Sequence, residues 1–160
     1  MTLFLKRTRS ADDPLFVICD MSGNETYRVR YAPGKIFSQQ RLLVTDAQGR
    51  TAVKIRRLPI AGSCTYALRM GKKRVTFVNI ITAKGVYSHF YGINYHIRGA
   101  IAAKSFDVID VDKTLVLSHR RHSGYCELDI ADGADELFCV AVSVCANMMN
   151  IIEKTALQAV

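Results

Sequence analysis

The sequence predicts a mainly β protein, a closed antiparallel barrel of about twelve strands that encloses one hydrophobic C-terminal α-helix. Two observations carry this prediction. The segment from Leu137 to Ile152 reads as a helix that is apolar on every side, and such a helix must be enclosed by protein or by lipid. The chain before it consists of short segments in which apolar and polar residues alternate, which is typical of strands with one buried face.

Turn-like residues separate the strand segments at short, regular intervals. This spacing favours antiparallel hairpins over crossover helices. The alternation is clearest where Tyr27, Val29 and Tyr31 are interleaved with Arg28 and Arg30. The predicted strands are residues 2–6, 16–20, 26–31, 41–46, 52–56, 65–69, 74–79, 86–91, 95–98, 106–110, 115–119 and 125–129.

Three hairpins share a turn that begins with aspartate. Asp20, Asp46 and Asp110 each end a strand, and glycine or lysine follows three residues later. An aspartate carboxylate can accept hydrogen bonds from the turn amides, and glycine supplies the positive φ that such a turn needs. Calcium binding is the alternative, but the spacing of the carboxylates differs from that of a calcium loop. We therefore predict structural turns.

The apolar C-terminal run is predicted to fill the barrel and not to cross a membrane. It has 16 residues and includes one serine and two asparagines, whereas a spanning helix needs about 20 predominantly apolar residues. A can of about eleven strands already holds a helix along its axis, so a slightly larger barrel has room for this one. We predict a single domain over residues 1–160, with strands within 1–130 and the central helix at 133–153.

Charge is distributed unevenly along the chain, and its formal net value is +8. Residues 1–104 carry 18 Lys and Arg against 5 Asp and Glu, whereas residues 105–160 carry 4 against 9. A basic body favours anionic partners such as phospholipid headgroups or nucleic acid. The alternative is that mixed surface charge only keeps a compact domain soluble.

The N-terminus and the cysteines predict the compartment. Only a few apolar residues precede Lys6, Arg7 and Arg9, which is too short a run for a secretory signal. The five cysteines are odd in number and show no CxxC spacing, a pattern typical of buried reduced thiols. We therefore expect a cytoplasmic protein that is peripheral to the membrane.

Four motifs, in this order, resemble the LURP-one-related family, which belongs to the tubby C-terminal-like superfamily together with the phospholipid scramblases. They are the strand Leu3-Phe-Leu-Lys-Arg7, the repeated Val-x-Asp-x-x-Gly hairpins, the strand Tyr66-Ala-Leu-Arg69 with its glycine turn, and the Tyr125-x-Leu-Asp-Ile approach to the helix. The resemblance implies a twelve-stranded barrel around a central hydrophobic helix. Because tubby domains bind phosphoinositides, it also implies a lipid ligand. Two departures are the absence of tryptophan near Arg120 and the junction at residues 31–34.

Catalytic and metal-binding motifs are absent from the sequence. It contains no GxSxG, no HExxH and no Walker loop. The four histidines (His89, His96, His119 and His122) could ligate zinc together with Cys126, but no thiolate pair precedes them. We therefore predict a protein that is not an enzyme and that has no cofactor and no bound metal.

Basic clusters are the best candidates for a binding site. If the neighbouring hairpins lie together, their outward cations can hold a phosphorylated headgroup. The candidate residues are Lys54, Arg56, Arg57, Lys72, Lys73 and Arg74, with Arg120 and Arg121 as a further cluster. Anionic phospholipids at a membrane surface are the predicted partners. The alternatives are a nucleic-acid-associated protein, whose bases would stack on Tyr87, Phe90, Tyr91 and Tyr95, and a regulatory scaffold.

Overall fold

A computed structural model describes residues 1–9, 14–34 and 41–158, with side chains up to residue 149. It contains twelve strands and one helix, as the sequence predicts. They are β1 (Thr2–Arg7), β2 (Phe16–Cys19), β3 (Glu25–Tyr31), β4 (Arg41–Asp46), β5 (Thr51–Leu58), β6 (Ser63–Met70), β7 (Lys73–Thr82), β8 (Gly85–Tyr91), β9 (Tyr95–Ala100), β10 (Ser105–Asp110), β11 (Leu115–His122), β12 (Tyr125–Ile130) and α1 (Glu136–Gln158).

The strands form a single antiparallel sheet that curls into a nearly closed barrel. Its order is β8-β7-β6-β5-β4-β3-β2-β1-β12-β11-β10-β9. The first and last strands of the chain are neighbours, with Thr2 opposite Asp129 and Leu5 opposite Cys126. Among the described strands, β8 and β9 are the two ends of the hydrogen-bonded order. The described barrel is therefore not hydrogen-bonded between β8 and β9, and we call this gap the seam. The sequence predicts a fully closed barrel, and the structure differs from it at this seam.

The three aspartate turns have the predicted local structure. In each, one carboxylate oxygen accepts backbone hydrogen bonds from the residues two and four positions later, at 2.9–3.0 Å. Gly23 and Gly49 have φ of +84° and +79°, and Lys113 has φ of +63° in the corresponding place. Positive φ is unfavourable for a residue with a Cβ, so the two glycines suit their turns better than the lysine does.

The start of α1 is built from residues that lie far apart in the sequence. Asp135 is the N-cap, because its carboxylate accepts a hydrogen bond from the backbone N–H of Phe138 at 3.1 Å. Its second oxygen pairs with Lys73 Nζ at 2.8 Å. Tyr27 Oη donates to Glu136 Oε1 at 2.8 Å. The helix begins three residues later than predicted because Gly133, with φ of +75°, lies in a turn that precedes this cap.

Helix α1 lies inside the barrel. Every described side chain from Phe138 to Met149 is buried, on all sides of the helix. The inward positions of the strands supply the surrounding apolar side chains, so helix and sheet share one core. Within the part of the chain that the structure describes, no helix has the length and hydropathy that crossing a bilayer requires. The burial of these side chains shows that the protein's own sheet encloses the helix, as predicted.

A chain of buried polar groups ties α1 to the wall. Neutral His119 donates from Nδ1 to the Lys104 carbonyl at 2.8 Å, and its Nε2 accepts from Asn147 Nδ2 at 3.3 Å. Asn147 also donates to the Ser143 carbonyl at 2.8 Å, and its oxygen accepts from the Cys126 thiol at 3.5 Å. Burial lowers the pKa of His119 to about 4, although the bond to the Lys104 carbonyl opposes this effect.

Candidate anion-binding site

A groove on the outer wall of the barrel crosses β4, β5, β6 and β7. Its volume is about 570 Å³. Strand alternation sends Val53 and Ile55 into the core and leaves Lys54 and Arg56 outside. Five basic side chains line the groove, and each is exposed: Arg41, Lys54, Arg56, Arg69 and Arg74. We call these five residues and the groove between them the basic groove.

Strand register brings the cations into rows across the sheet. Lys54 lies opposite Arg69, and Arg69 lies opposite Arg74, so one row crosses three consecutive strands. Arg41 lies opposite Arg56 and begins a second row. Directly opposed side chains have Cβ atoms about 4.5–5.5 Å apart, and like charges at that distance repel each other. The fold thus holds five positive charges close together.

No carboxylate compensates this charge within the described structure. The described lining of the basic groove contains no aspartate or glutamate. None of its five cations forms an ion pair with a described residue, whereas Arg28, Arg50 and Arg98 elsewhere on the barrel all do. Ala67 faces outward between Arg56 and Thr76, and its small side chain leaves a hollow in the groove floor.

The structure brings together three of the six residues that the sequence suggested. Lys54, Arg56 and Arg74 line the basic groove. Lys72 lies in the exposed turn between β6 and β7, outside the groove lining. Lys73 is held by Asp135 at the helix cap. Burial works to raise the pKa of Asp135, but the Lys73 ammonium and the Phe138 amide outweigh it and keep that pKa below its usual value.

Arg57, the sixth suggested residue, follows the alternation to the opposite side of the wall. It lies across from Tyr66, whose side chain is buried in the core. Arg57 Nε and Tyr66 Oη are both buried, and neither has a hydrogen-bond partner within the described structure. Burial raises the pKa of Tyr66 well above its usual value. Arg57 is therefore half-buried on the inner side of the wall and does not belong to the basic groove.

Two residues of the basic groove, Arg41 and Arg69, were not identified from the sequence. Arg69 could have been, because Met70 pairs with Lys73 across a two-residue turn, which sets Arg69 opposite Arg74. Arg41 depends on the pairing of β4 with β5, where a register irregularity between Val44 and Thr45 obscures the count. Local pattern alone therefore could not place Arg41.

The remaining suggested clusters do not form one site. Arg120 is bound to Asp107 at 2.8 Å, and Arg121 lines a separate cavity. His122 lies 3.1 Å from Glu127, while His119 is buried in the network described above. Among the described residues, no three of His, Cys, Asp and Glu form a group that could hold a metal ion.

The four aromatic residues suggested for base stacking also separate. Tyr87 and Tyr91 are exposed on the outer wall. Phe90 is buried and stacks on Phe77, and Tyr95 packs against Phe138 of the helix. The four rings therefore do not form one stacking surface.

Comparison with known proteins agrees with this architecture. The chain matches a solved structure, the X-ray structure of a protein from Arabidopsis thaliana, with a TM-score of 0.65 and 15% identity, over 93% of this chain and 91% of that one. At this identity the similarity concerns the fold. No curated protein matches the chain. The LURP-one-related family profile matches residues 1–147, which is most of the sequence. The chain therefore belongs to the LURP-one-related family.

Proposed function

We propose that this protein is a non-enzymatic binding module, which recognises anionic phospholipid headgroups at a membrane surface through the basic groove. The observation that carries the proposal is the row Lys54–Arg69–Arg74 on three adjacent strands. Neighbouring strands are about 4.8 Å apart, so the row spans about 10 Å. A headgroup with more than one phosphate can contact all three cations and relieve their mutual repulsion.

An exposed apolar patch beside the basic groove supports a membrane partner. Tyr91 lies opposite Thr76, which lines the groove, and Tyr87 lies opposite Ile80 on the same face. Tyr87 and Tyr91 are each 60% exposed, and Ile80 is 49% exposed. Tyrosine is enriched where membrane meets water, because its ring is apolar and its hydroxyl is polar. In the proposed orientation of the barrel on the membrane, the cations of the basic groove contact lipid headgroups. Tyr87, Tyr91 and Ile80 then lie at the boundary between membrane and water.

Nucleic acid is the alternative polyanion for the same cations. The cations lie in a compact patch rather than along an extended track, and the long helix is buried within the described structure. Only two of the four candidate stacking rings are exposed. These features favour a headgroup over a strand of nucleic acid. A carrier role is disfavoured, because α1 occupies the interior that a lipocalin-like ligand would need.

Vesicle co-sedimentation tests the proposal. The wild-type chain is expected to bind vesicles that contain phosphoinositide or phosphatidylserine, more weakly as salt rises, and not to bind neutral vesicles. The double variant Lys54→Gln/Arg74→Gln removes two charges from the basic groove. Each cation contributes about 1 kcal/mol near an anionic surface, so the variant should bind about 25-fold more weakly.

Two further variants distinguish specific binding in the basic groove from general electrostatic attraction to an anionic surface. Lys6→Gln/Lys113→Gln removes the same charge from exposed positions on β1 and on the β10–β11 turn, and it should bind like wild type. Ala67→Leu fills the hollow without changing any charge, and it should weaken binding. Equal losses in both double variants would contradict a specific groove, and preferred gel retardation of RNA or DNA would favour the alternative.

A further inference from the structure

A second cavity lies at the end of the barrel opposite the start of α1, and we call it the far mouth. Its volume is about 570 Å³, within the range of about 300–1,000 Å³ that small-molecule sites have. It opens where β1 ends and where the β11–β12 turn lies. The described lining is Leu5, Arg7, Phe16, Lys104, Arg121, His122, Ser123, Gly124, Tyr125, Cys126 and Asn147.

The two arginines of the far mouth follow the inward positions of their strands. Leu3 and Leu5 are buried, and Arg7 follows them on the same face of β1. Arg121 likewise continues the inward face of β11 after His119. Neither arginine forms an ion pair with a described residue, and no aspartate or glutamate occurs in the described lining. Both arginines are exposed, so their positive charge lies at the open rim of the cavity.

The polar floor of the far mouth is held rigidly. Asn147 belongs to the buried network with His119 and Cys126, so its position on α1 is fixed by several hydrogen bonds. The His119 ring also donates to the Lys104 carbonyl, and Lys104 has φ of +59°. A left-handed conformation is unfavourable for lysine, and the surrounding structure must maintain it. Lys104 is thus presented at the cavity by a constrained backbone.

The helix dipole does not account for these cations. A helix favours positive charge near its C-terminus, but this effect falls off within the last turn. Helix α1 continues from Asn147 to Gln158, which is about three further turns. The carbonyl groups next to the far mouth are therefore in the body of the helix, and the helix dipole does not explain the positive charge of Arg7 and Arg121.

We infer that the far mouth is a second binding site, which takes a small organic molecule with a phosphate or carboxylate group on an apolar body. Arg7, Arg121 and Lys104 supply the charge for the oxyanion. Leu5 and Phe16, on the inner face of the barrel, supply the apolar wall. This site is separate from the basic groove and does not depend on the function proposed for it, because the groove lies on the outer face of β4–β7.

Titration with three six-carbon probes tests the inference. Hexyl phosphate, hexanoate and hexanol are added separately to the full chain, and NMR chemical shifts report binding. Hexyl phosphate or hexanoate should shift the amides around the far mouth, and hexanol should not. The preferred anion identifies the phosphate or the carboxylate as the natural group. Failure of both anions to bind, or equal binding of hexanol, would overturn the inference.

Variants then locate the binding. Arg7→Gln/Arg121→Gln should weaken binding of the preferred anion by about tenfold or more for each arginine, because charged hydrogen bonds are lost. Ser123→Glu adds a negative charge on an exposed turn at the rim and should abolish binding without disturbing the core. Lys54→Gln/Arg74→Gln should bind the six-carbon anion as tightly as wild type, although its binding to anionic vesicles is weakened. Unchanged binding in the first two variants would overturn the inference and leave the basic groove unaffected.

Discussion

The free energy of unfolding is expected to fall by about 3 kcal/mol as the pH is lowered from 6.5 to 4, because of His119. Burial lowers the pKa of His119 from 6.5 to about 4 in the folded state. Between these values the unfolded chain binds a proton that the folded chain excludes, so protons favour unfolding. The stabilisation is complete above pH 6.5 and is lost as the pH falls towards 4. Urea unfolding at a series of pH values measures it.

A matched pair of variants assigns this pH dependence. His119→Gln cannot be protonated, so its stability at neutral pH should be lower but nearly constant down to pH 4.5. His96→Gln changes an exposed histidine on β9 and should keep the wild-type pH dependence. Aspartates whose pKa values lie below the usual 3.8, such as Asp135, contribute to a further loss below this window. A wild-type slope that persists in His119→Gln would show that another group is responsible.

Replacement of Phe138 by alanine is expected to cost about 3–5 kcal/mol of unfolding free energy. Its ring is fully buried and lies 5.3 Å from the rings of both Phe90 and Tyr95. Phe90 is on β8 and Tyr95 is on β9, the two strands that flank the seam. Phe138 therefore joins, through side chains, the two strands that the hydrogen-bonded order leaves apart. The variant should lose stability and also open the seam.

Phe4 provides the control for this prediction. It is half-buried on β1 and its ring meets Tyr125 edge-on at 5.8 Å, away from the helix. Phe4→Ala should cost only about 1 kcal/mol. Urea midpoints give both costs, and amide hydrogen exchange over residues 85–100 should accelerate in Phe138→Ala alone. Equal costs in the two variants, or unchanged exchange at the seam, would contradict the role assigned to Phe138.

Local pattern predicted the elements of this fold well, because period-2 alternation and turn residues are properties of adjacent positions. All twelve strands lie where the sequence places them. The predicted start of the helix, residue 133, was three residues too early. Asp132 and Asp135 are both good N-caps, and only the positive φ of Gly133 decides between them. The seam between β8 and β9 has no local signal. Their connecting residues read as an ordinary hairpin turn, and the separation depends on how the whole sheet curls.

Alternation also predicted three of the five cations of the basic groove, because it assigns Lys54, Arg56 and Arg74 to the outer face. The same rule places Arg57 on the inner face. Arg56 and Arg57 are neighbours in the sequence, but successive side chains of a strand point to opposite faces, so they could not belong to one cluster. The ion pair of Lys73 with Asp135 could not be predicted, because the two residues are 62 positions apart in the sequence. The far mouth combines residues from β1, β11, β12 and α1, and no local pattern unites them.

Thiol labelling tests the central claim, that the wall of the barrel encloses α1. Cys139 and Cys145 on α1 are completely buried, whereas Cys19 is half-buried on β2. Burial also raises the pKa of Cys139 to about 12, so little reactive thiolate forms. Native iodoacetamide labelling, read by mass spectrometry, should modify Cys19 first, and the helix thiols only at the rate of global unfolding. Labelling of Cys139 and Cys145 as fast as Cys19, in a chain that stays folded, would contradict the enclosed helix.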